Sequence, residues 1–304
     1  MIGVVLCAAS YLVEQQAHAV AAVVAARGGV AVRAADGTTY QAELGTLLAP
    51  GARVTVPAGS SAMLVYFAGG VRERVKPSKE VTIGKDGGAP ADAVERLKPV
   101  PATVAPILRG LRTVPGRRSG LTVARSEVPP GGAPAVTPID DATVLTDRPA
   151  LSWPSSANAK SYRVRMTVDG SGRVVWEANA PGPRLAYPEA KPPLTRLRRY
   201  IWKVSDDSGK PVAEGHFFVA SEIRARAAAD LAALASADDP VDVLTAALGY
   251  EALGALDNAL AAYERLAKLN PDERAYSYAL ADLYNLAGRL EEAKAARASA
   301  LRGD

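Results

Sequence analysis

Residues 250–259 read YEALGALDNA, and residues 284–293 read YNLAGRLEEA. Subtraction pairs Tyr250 with Tyr284, Gly254 with Gly288, Leu256 with Leu290 and Ala259 with Ala293, each 34 residues apart. A fixed period of that length marks stacked helix–turn–helix units, each burying its apolar stripe only against a neighbour. The surroundings agree, because from Ser221 onward the chain is rich in alanine, leucine and charge and lacks any period-two run. Just upstream, Glu222 to Leu234 forms another helical run, placed to cap a stack that is too short to stand alone. A homodimer is the other solution.

These residues resemble the tetratricopeptide (TPR) family over Pro240 to about Leu301, as two repeats. Ala247 and Ala281 take the small position of the first helix, Tyr250 and Tyr284 its aromatic position, Gly254 and Gly288 the inter-helix turn. Ala259 and Ala293 take the small position where helices cross. Tyr263 and Pro271 match in the first repeat only; Val243 and Ser277 replace the family's tryptophan, and Arg297 stands where an aromatic is usual. The resemblance implies a protein partner held on the first helix of each repeat, with Leu244, Leu248 and Glu251 outward in one and Tyr278, Asp282 and Asn285 in the other. Such apolar anchors with a polar rim suit an amphipathic or extended segment. The alternative is that this face packs on the capping helix or on the chain's own sandwich domain, residues 138–221.

Before the helices, residues 138–221 alternate with period two. Tyr162, Val164, Met166 and Val168 alternate with Arg163, Arg165 and Thr167 up to Asp169-Gly170, and Leu151, Trp153, Trp176, Tyr200, Trp202 and Val204 follow the same rule. The set resembles a fibronectin type III-like sandwich, with Trp153 as the early-strand core residue and Tyr200 to Val204 as the late strand. Trp176 and Trp202 could stack on sugars, but alternating strand positions favour a core role.

Residues 20–84 are short apolar runs broken by glycine turns, including Asp36-Gly37, whose positive φ suits a tight hairpin. They resemble the FecR-like domain of bacterial envelope proteins through Gly28-Gly29-Val30, Gly45 with Leu47-Leu48, Pro50 and Gly51, Val54-Thr55-Val56, and Ser60 to Leu64 leading to Gly69-Gly70. The best-known members are membrane-spanning regulators, a role that needs a cytoplasmic segment and a crossing helix before the β domain. Generic extracytoplasmic binding is therefore the first expectation and a transmembrane sensor the alternative. Between Val71 and Lys76, Arg72, Arg74 and Lys76 share one face; they could touch an anionic glycan, although a solvated outer face is the commoner cause of such a ladder.

Met1 to Val13 is almost wholly apolar and is followed by Glu14-Gln15-Gln16 and Ala17-His18-Ala19, the order of a secretory signal without its basic n-region, cleaved after Ala19. Cys7 follows Leu6, not the small residue that lipoprotein signals want, and so reads as signal core. Residues 85–137 carry many prolines and glycines and read as a spacer with two helix-like runs, Ala91 to Lys98 and Val104 to Leu111. The expected organisation is multidomain, mainly β then α: 1–19 signal peptide, 20–84 FecR-like β domain, 85–137 linker, 138–221 sandwich, and 222–304 capping helix with two TPR repeats.

A net charge of +4 favours weak contact with anionic surfaces without selecting among them. Basic clusters at Arg109, Arg112, Arg117 and Arg118 and at Arg196, Arg198 and Arg199 lack the aromatic platforms of a nucleic-acid site and read as solvated surface, so no nucleic acid is expected. Histidine occurs only at 18 and 216, which cannot supply the usual zinc ligand set. No nucleophile elbow, phosphate loop or dinucleotide fingerprint is present, and the pairs Asp140-Asp141, Asp206-Asp207 and Asp238-Asp239 suit turns and helix starts. The expectation is a non-catalytic, exported (periplasmic) adaptor without a cofactor, a metal or an integral membrane span, binding a protein through its repeats and an anionic envelope polymer through its β modules.

Overall fold

The computed structural model describes residues 19–111, 135–156, 159–271 and 273–301. The proposed signal peptide up to His18 and the part of the spacer at 112–134 lie outside the described residues. The chain divides into two compact units, Met1–Thr122 with Asp230–Ala252, and Val123–Ala229 with Leu253–Asp304. The fold is broadly β followed by α, with five helices at the C-terminal end.

In the first unit ten strands form two antiparallel five-stranded sheets. One has the order β10 (Val94–Leu97), β7 (Arg72–Val75), β6 (Ser61–Tyr66), β1 (Ala21–Arg27) and β4 (Leu47–Leu48). The other runs β3 (Thr39–Gln41), β2 (Ala31–Arg33), β5 (Arg53–Val56), β8 (Lys79–Ile83) and β9 (Gly88–Ala89). Val23, Leu64 and Tyr66 of the first sheet meet Val32, Val54 and Ile83 of the second in one buried cluster. The Asp36-Gly37 hairpin forms as expected: Gly37 has φ 90°, and the Asp36 carboxylate accepts bonds from the N–H and hydroxyl of Thr38. Gly28 has no substitute, because a Cβ there would lie 2.3 Å from the Ser60 hydroxyl oxygen.

The unit extends past residue 84. Ala91 to Lys98, expected as helix-like, is a short 3-10 turn at Ala91–Ala93 followed by strand β10, which pairs with β7 from Val94↔Val75 to Leu97↔Arg72. Val100, Val104, Ala105, Leu108 and Leu111 are buried, so this part of the expected spacer is packed structure. It covers the outer face of the first sheet, which explains why β6 is buried at Met63 and Val65 as well as at Leu64 and Tyr66. Helix α2 (Pro240–Leu253) joins this layer: Leu248 Cδ2 lies 3.9 Å from the position of a Gly45 Cβ, and the Ala252 carbonyl lies 3.0 Å from that of Gly110. Within the same unit Leu231 of α1 (Glu222–Ala235) sits over Gly249 of α2, 2.5 Å from where a Cβ would be.

In the second unit seven strands make a five-stranded sheet and a pair. The sheet runs β11 (Ala142–Val144), β17 (Pro211–Val219), β16 (Arg199–Asp206), β13 (Tyr162–Val168), β14 (Val174–Ala180), with β11 parallel to β17 and the rest antiparallel; β12 (Ala150–Ser152) pairs with β15 (Arg184–Ala186). Tyr162, Val164 and Met166 are buried while Arg163 and Arg165 are exposed, the alternation a half-buried strand requires. Trp153, Trp176 and Trp202 all lie in the core, with Trp153 and Trp202 6.3 Å apart between ring centres. Trp202 faces Gly215 across the ladder, where a Cβ would lie 2.8 Å from the indole nitrogen. These tryptophans are packing residues, which removes them as sugar platforms.

The helices of this unit are α3 (Leu256–Leu269), α4 (Arg274–Leu286) and α5 (Leu290–Leu301). The paired turn glycines, Gly254 and Gly288, have φ 70° and 69°. At Gly288 the Arg289 N–H donates to the Tyr284 carbonyl (2.8 Å) and the Gly288 N–H to that of Asn285 (3.1 Å), the two bonds of a Schellman termination. Ala259, Ala281 and Ala293 are buried, as small residues at close helix approaches must be.

Candidate functional site

The six residues expected to face a partner do not share one environment. On α2, Leu244 and Leu248 are buried and Glu251 is half-buried. The leucines are therefore not available to a partner: this helix belongs to the first unit, and Leu248 packs beside Gly45 of the first β module. The alternative of internal packing holds for this repeat, although the covering element is the first β module and the 98–111 segment, neither of which the sequence pattern suggested.

On α4, Tyr278, Asp282 and Asn285 are all half-exposed and spaced i, i+4, i+7, which puts them on one side of the helix. Asp282 receives the Arg297 guanidinium of α5 at 3.4 Å. Next to this stripe, Tyr284 and Arg289 converge on Glu264 of α3. The Tyr284 hydroxyl and the Arg289 guanidinium each donate to Glu264 Oε1 at 3.0 Å, and Arg289 stacks 4.5 Å above the Tyr284 ring centre and reaches Glu292 at 3.1 Å. Burial, and then the Glu264 carboxylate, push the Tyr284 hydroxyl up to about 12. This network ties three helices together and leaves the Tyr278 stripe with fixed backbone and accessible side chains.

Strand β7 departs most from the sequence reading. Arg72 was placed on a face read as solvated, yet it is 6% exposed, and Glu73 is 0% exposed. Arg72 donates from Nε to the Lys98 carbonyl (3.0 Å) and from Nη1 to Asp242 of α2 (2.5 Å). Glu73 points inward, where it accepts the Gly88 N–H (2.8 Å) and the Arg96 Nε–H (3.2 Å), so its carboxylate ties β9 to the opposite sheet. Burial, and then the Glu73 charge, raise the pKa of the Tyr66 hydroxyl. Both charges are compensated, as buried charges must be, and both fasten elements together.

Among the described residues, one group has metal-like composition: Asp140, Asp141 and His216. Its ligand atoms are already engaged. Asp140 Oδ1 accepts the His216 backbone N–H at 2.7 Å and lies 3.0 Å from His216 Nδ1, while Asp141 is paired with Arg199. The Asp141 N–H returns a bond to the His216 carbonyl, and Asp141 has φ 61°, so the group latches the turn before β11 onto β17. The other aspartate pairs have similar roles: the Ser208 hydroxyl, and then the N–H groups of Lys210 and Ser208, donate to Asp206 and hold its carboxyl below the usual range, and Asp239 accepts the Val241 N–H at the start of α2.

No helix among the described residues is long and apolar enough to cross a membrane. No protein-family model and no curated protein sequence matches the chain.

Proposed function

We propose that the chain is a non-catalytic, exported adaptor of the cell envelope, built from a FecR-like β domain, a fibronectin type III-like sandwich and TPR-type helices, and that it binds a protein partner along α4. The observation that carries this reading is the pair of left-handed glycines at 254 and 288, 34 residues apart, with α4 presenting half-exposed Tyr278, Asp282 and Asn285 beside them. The sheet order of the second unit, with β11 parallel to the last strand and β12–β15 as the facing pair, supports the sandwich assignment. The engaged state of the Asp140–Asp141–His216 group supports a role without catalysis.

The recognition surface in this reading is narrower than two full repeats, because α2 contributes packing and not contact. An aromatic anchor beside a carboxylate and an amide suits a short amphipathic or basic segment. The test is co-purification from envelope extracts with the wild type against Tyr278→Ser/Asn285→Ala. Partners lost by the variant at an unchanged melting temperature support recognition on α4; identical partner sets remove it. In the same material the mature N-terminus should be Val20, and an intact Met1 on cytoplasmic protein would refute export.

A further inference from the structure

Leu197 and Ile223 stand out on the surface of the second unit. They are 63% and 82% exposed, the most exposed large apolar side chains among the described residues. Leu197 also has φ 59°, a left-handed conformation that a branched side chain enters at a cost and that glycine or asparagine would adopt readily. An exposed leucine in that conformation gains nothing for folding from its side chain.

Arg196, the neighbour of Leu197, joins the two segments by pairing with Glu222, the neighbour of Ile223. Its guanidinium reaches Glu222 (3.2 Å) and Asp147 (3.1 Å) and donates to the carbonyls of Leu145 and Ala220. The Leu197 N–H donates to the Val219 carbonyl, and the Arg198 carbonyl accepts the Val219 N–H. Residues 196–198 are thereby locked against the strand that runs into α1, whose second residue is Ile223. Next in sequence to the two aliphatics, Arg198 and Arg224 are exposed and form no ion pair among the described residues, and Arg226 shares Glu222 at 3.6 Å. Residues 196–198 and 222–226 thus carry four arginines (196, 198, 224, 226) against Glu222 and the Asp147 that Arg196 engages, a local excess of positive charge.

We propose that this patch docks the protein peripherally on a membrane carrying anionic lipid, Leu197 and Ile223 entering the acyl boundary and Arg198 and Arg224 meeting the lipid phosphates. The shape favours a bilayer over a protein groove. Two highly exposed aliphatics, each adjacent in sequence to an exposed arginine outside any ion pair among the described residues, match an interface that is apolar below and anionic at its surface. A protein partner would instead call for a broader apolar patch, and no further exposed large apolar residue lies between 197 and 223. The inference rests on an envelope location but not on the α4 surface.

The test is co-sedimentation of the full chain with vesicles of phosphatidylcholine alone and with about 30% phosphatidylglycerol, at low salt and at about 0.5 M salt. The expected result is binding to the anionic vesicles only, weakened by salt. Arg198→Gln/Arg224→Gln should weaken it about 25-fold, at roughly fivefold per arginine. Leu197→Asn/Ile223→Ser should weaken it by about tenfold or more, with melting temperature unchanged or raised because asparagine accepts the left-handed backbone. Equal binding to neutral vesicles, no binding, or variants that bind like the wild type each overturn the proposal. So does a concentration-dependent oligomer dissolved by the Leu197→Asn/Ile223→Ser change without vesicle binding, which would make the patch a self-association contact. Vesicle binding is read without any protein partner, so its failure leaves the α4 reading standing, and loss of partners from the Tyr278 variant leaves the lipid result unaffected.

Discussion

Cutting the Arg72–Asp242 pair should loosen helix α2 from the first β module, and the magnitude follows from which charge is left behind. The Arg72 side chain is 7% exposed and that of Asp242 23%. Asp242→Ala strands the guanidinium in a dry site with only the Lys98 carbonyl on its Nε, which should cost about 3 kcal/mol, the lower end for an orphaned buried charge because water reaches the Asp242 side. Arg72→Met strands a carboxylate that is partly solvated and lies in the first turn of α2, where the helix dipole favours it, so about 1–2 kcal/mol is expected. The double change leaves no stranded charge and should cost about 2 kcal/mol, giving a coupling of about 2–3 kcal/mol. Urea unfolding followed by far-UV circular dichroism reads both units, whereas fluorescence reads only the second, where Trp153, Trp176 and Trp202 all lie. The dichroism transition should move, and exchange protection of amides 243–252 should fall with it. Strictly additive single effects, with coupling under about 0.5 kcal/mol, would refute the view that this ion pair fastens the helix.

Three further outcomes are expected. Trp202→Ala should cost about 3–5 kcal/mol through lost transfer energy and a cavity over Gly215, read in the fluorescence-independent melting curve; an unshifted mutant would contradict its core role. Leu248→Ser should lower stability by about 3 kcal/mol and Tyr278→Ser by about 1 kcal/mol or less, since only the first is buried; equal losses would show that the α4 stripe is also internal packing. Asp257, which accepts the Ile139 N–H at 3.0 Å, is pushed up from 3.8 to about 6 by burial. A raised pKa means that its contribution is fully present below pH 3.8 and is lost as pH rises through about 6, so stability should fall over that window. Asp257→Asn keeps an acceptor for Ile139 and should remove this dependence, gaining about 3 kcal/mol at pH 8 in melting experiments; parallel pH curves for the two proteins would exclude the assignment.

The proposals sit at different distances from the sequence. The α4 stripe was legible, because the paired tyrosines and glycines set the helical phase and Tyr278, Asp282 and Asn285 follow from it. The apolar members of the membrane patch were not. Leu197 and Ile223 carry no periodic signal; their exposure and the φ of Leu197 single them out, and the Arg196–Glu222 pair joins the segments that carry them. Arg198 and Arg199 read alike as neighbouring surface charges, yet Arg199 is consumed by Asp141 and Asp169 while Arg198 is free of any ion pair among the described residues.

What the sequence determined by itself is local. Alternation placed Tyr162, Val164, Met166 and Trp202 in a core, Asp36-Gly37 at a hairpin and Gly254 and Gly288 at left-handed turns, because side-chain direction and the φ a turn demands depend on near neighbours alone. What only the tertiary structure decided is which second surface covers each element. Period two states that Arg72 and Glu73 point to opposite faces of β7, but not that the 98–111 segment and a helix 170 residues away would close over the outer face and bury Arg72, nor that Gly88 and Arg96 would meet the inward Glu73. The same closure turned Val94 to Leu97 into an edge strand, since a strand partner at Arg72–Val75 outweighs the weak helical preference of so short a run. It also moved Leu244 and Leu248 from a presumed binding face into packing, because helical phase gives a residue's side of the helix while burial on that side depends on contacts remote in sequence.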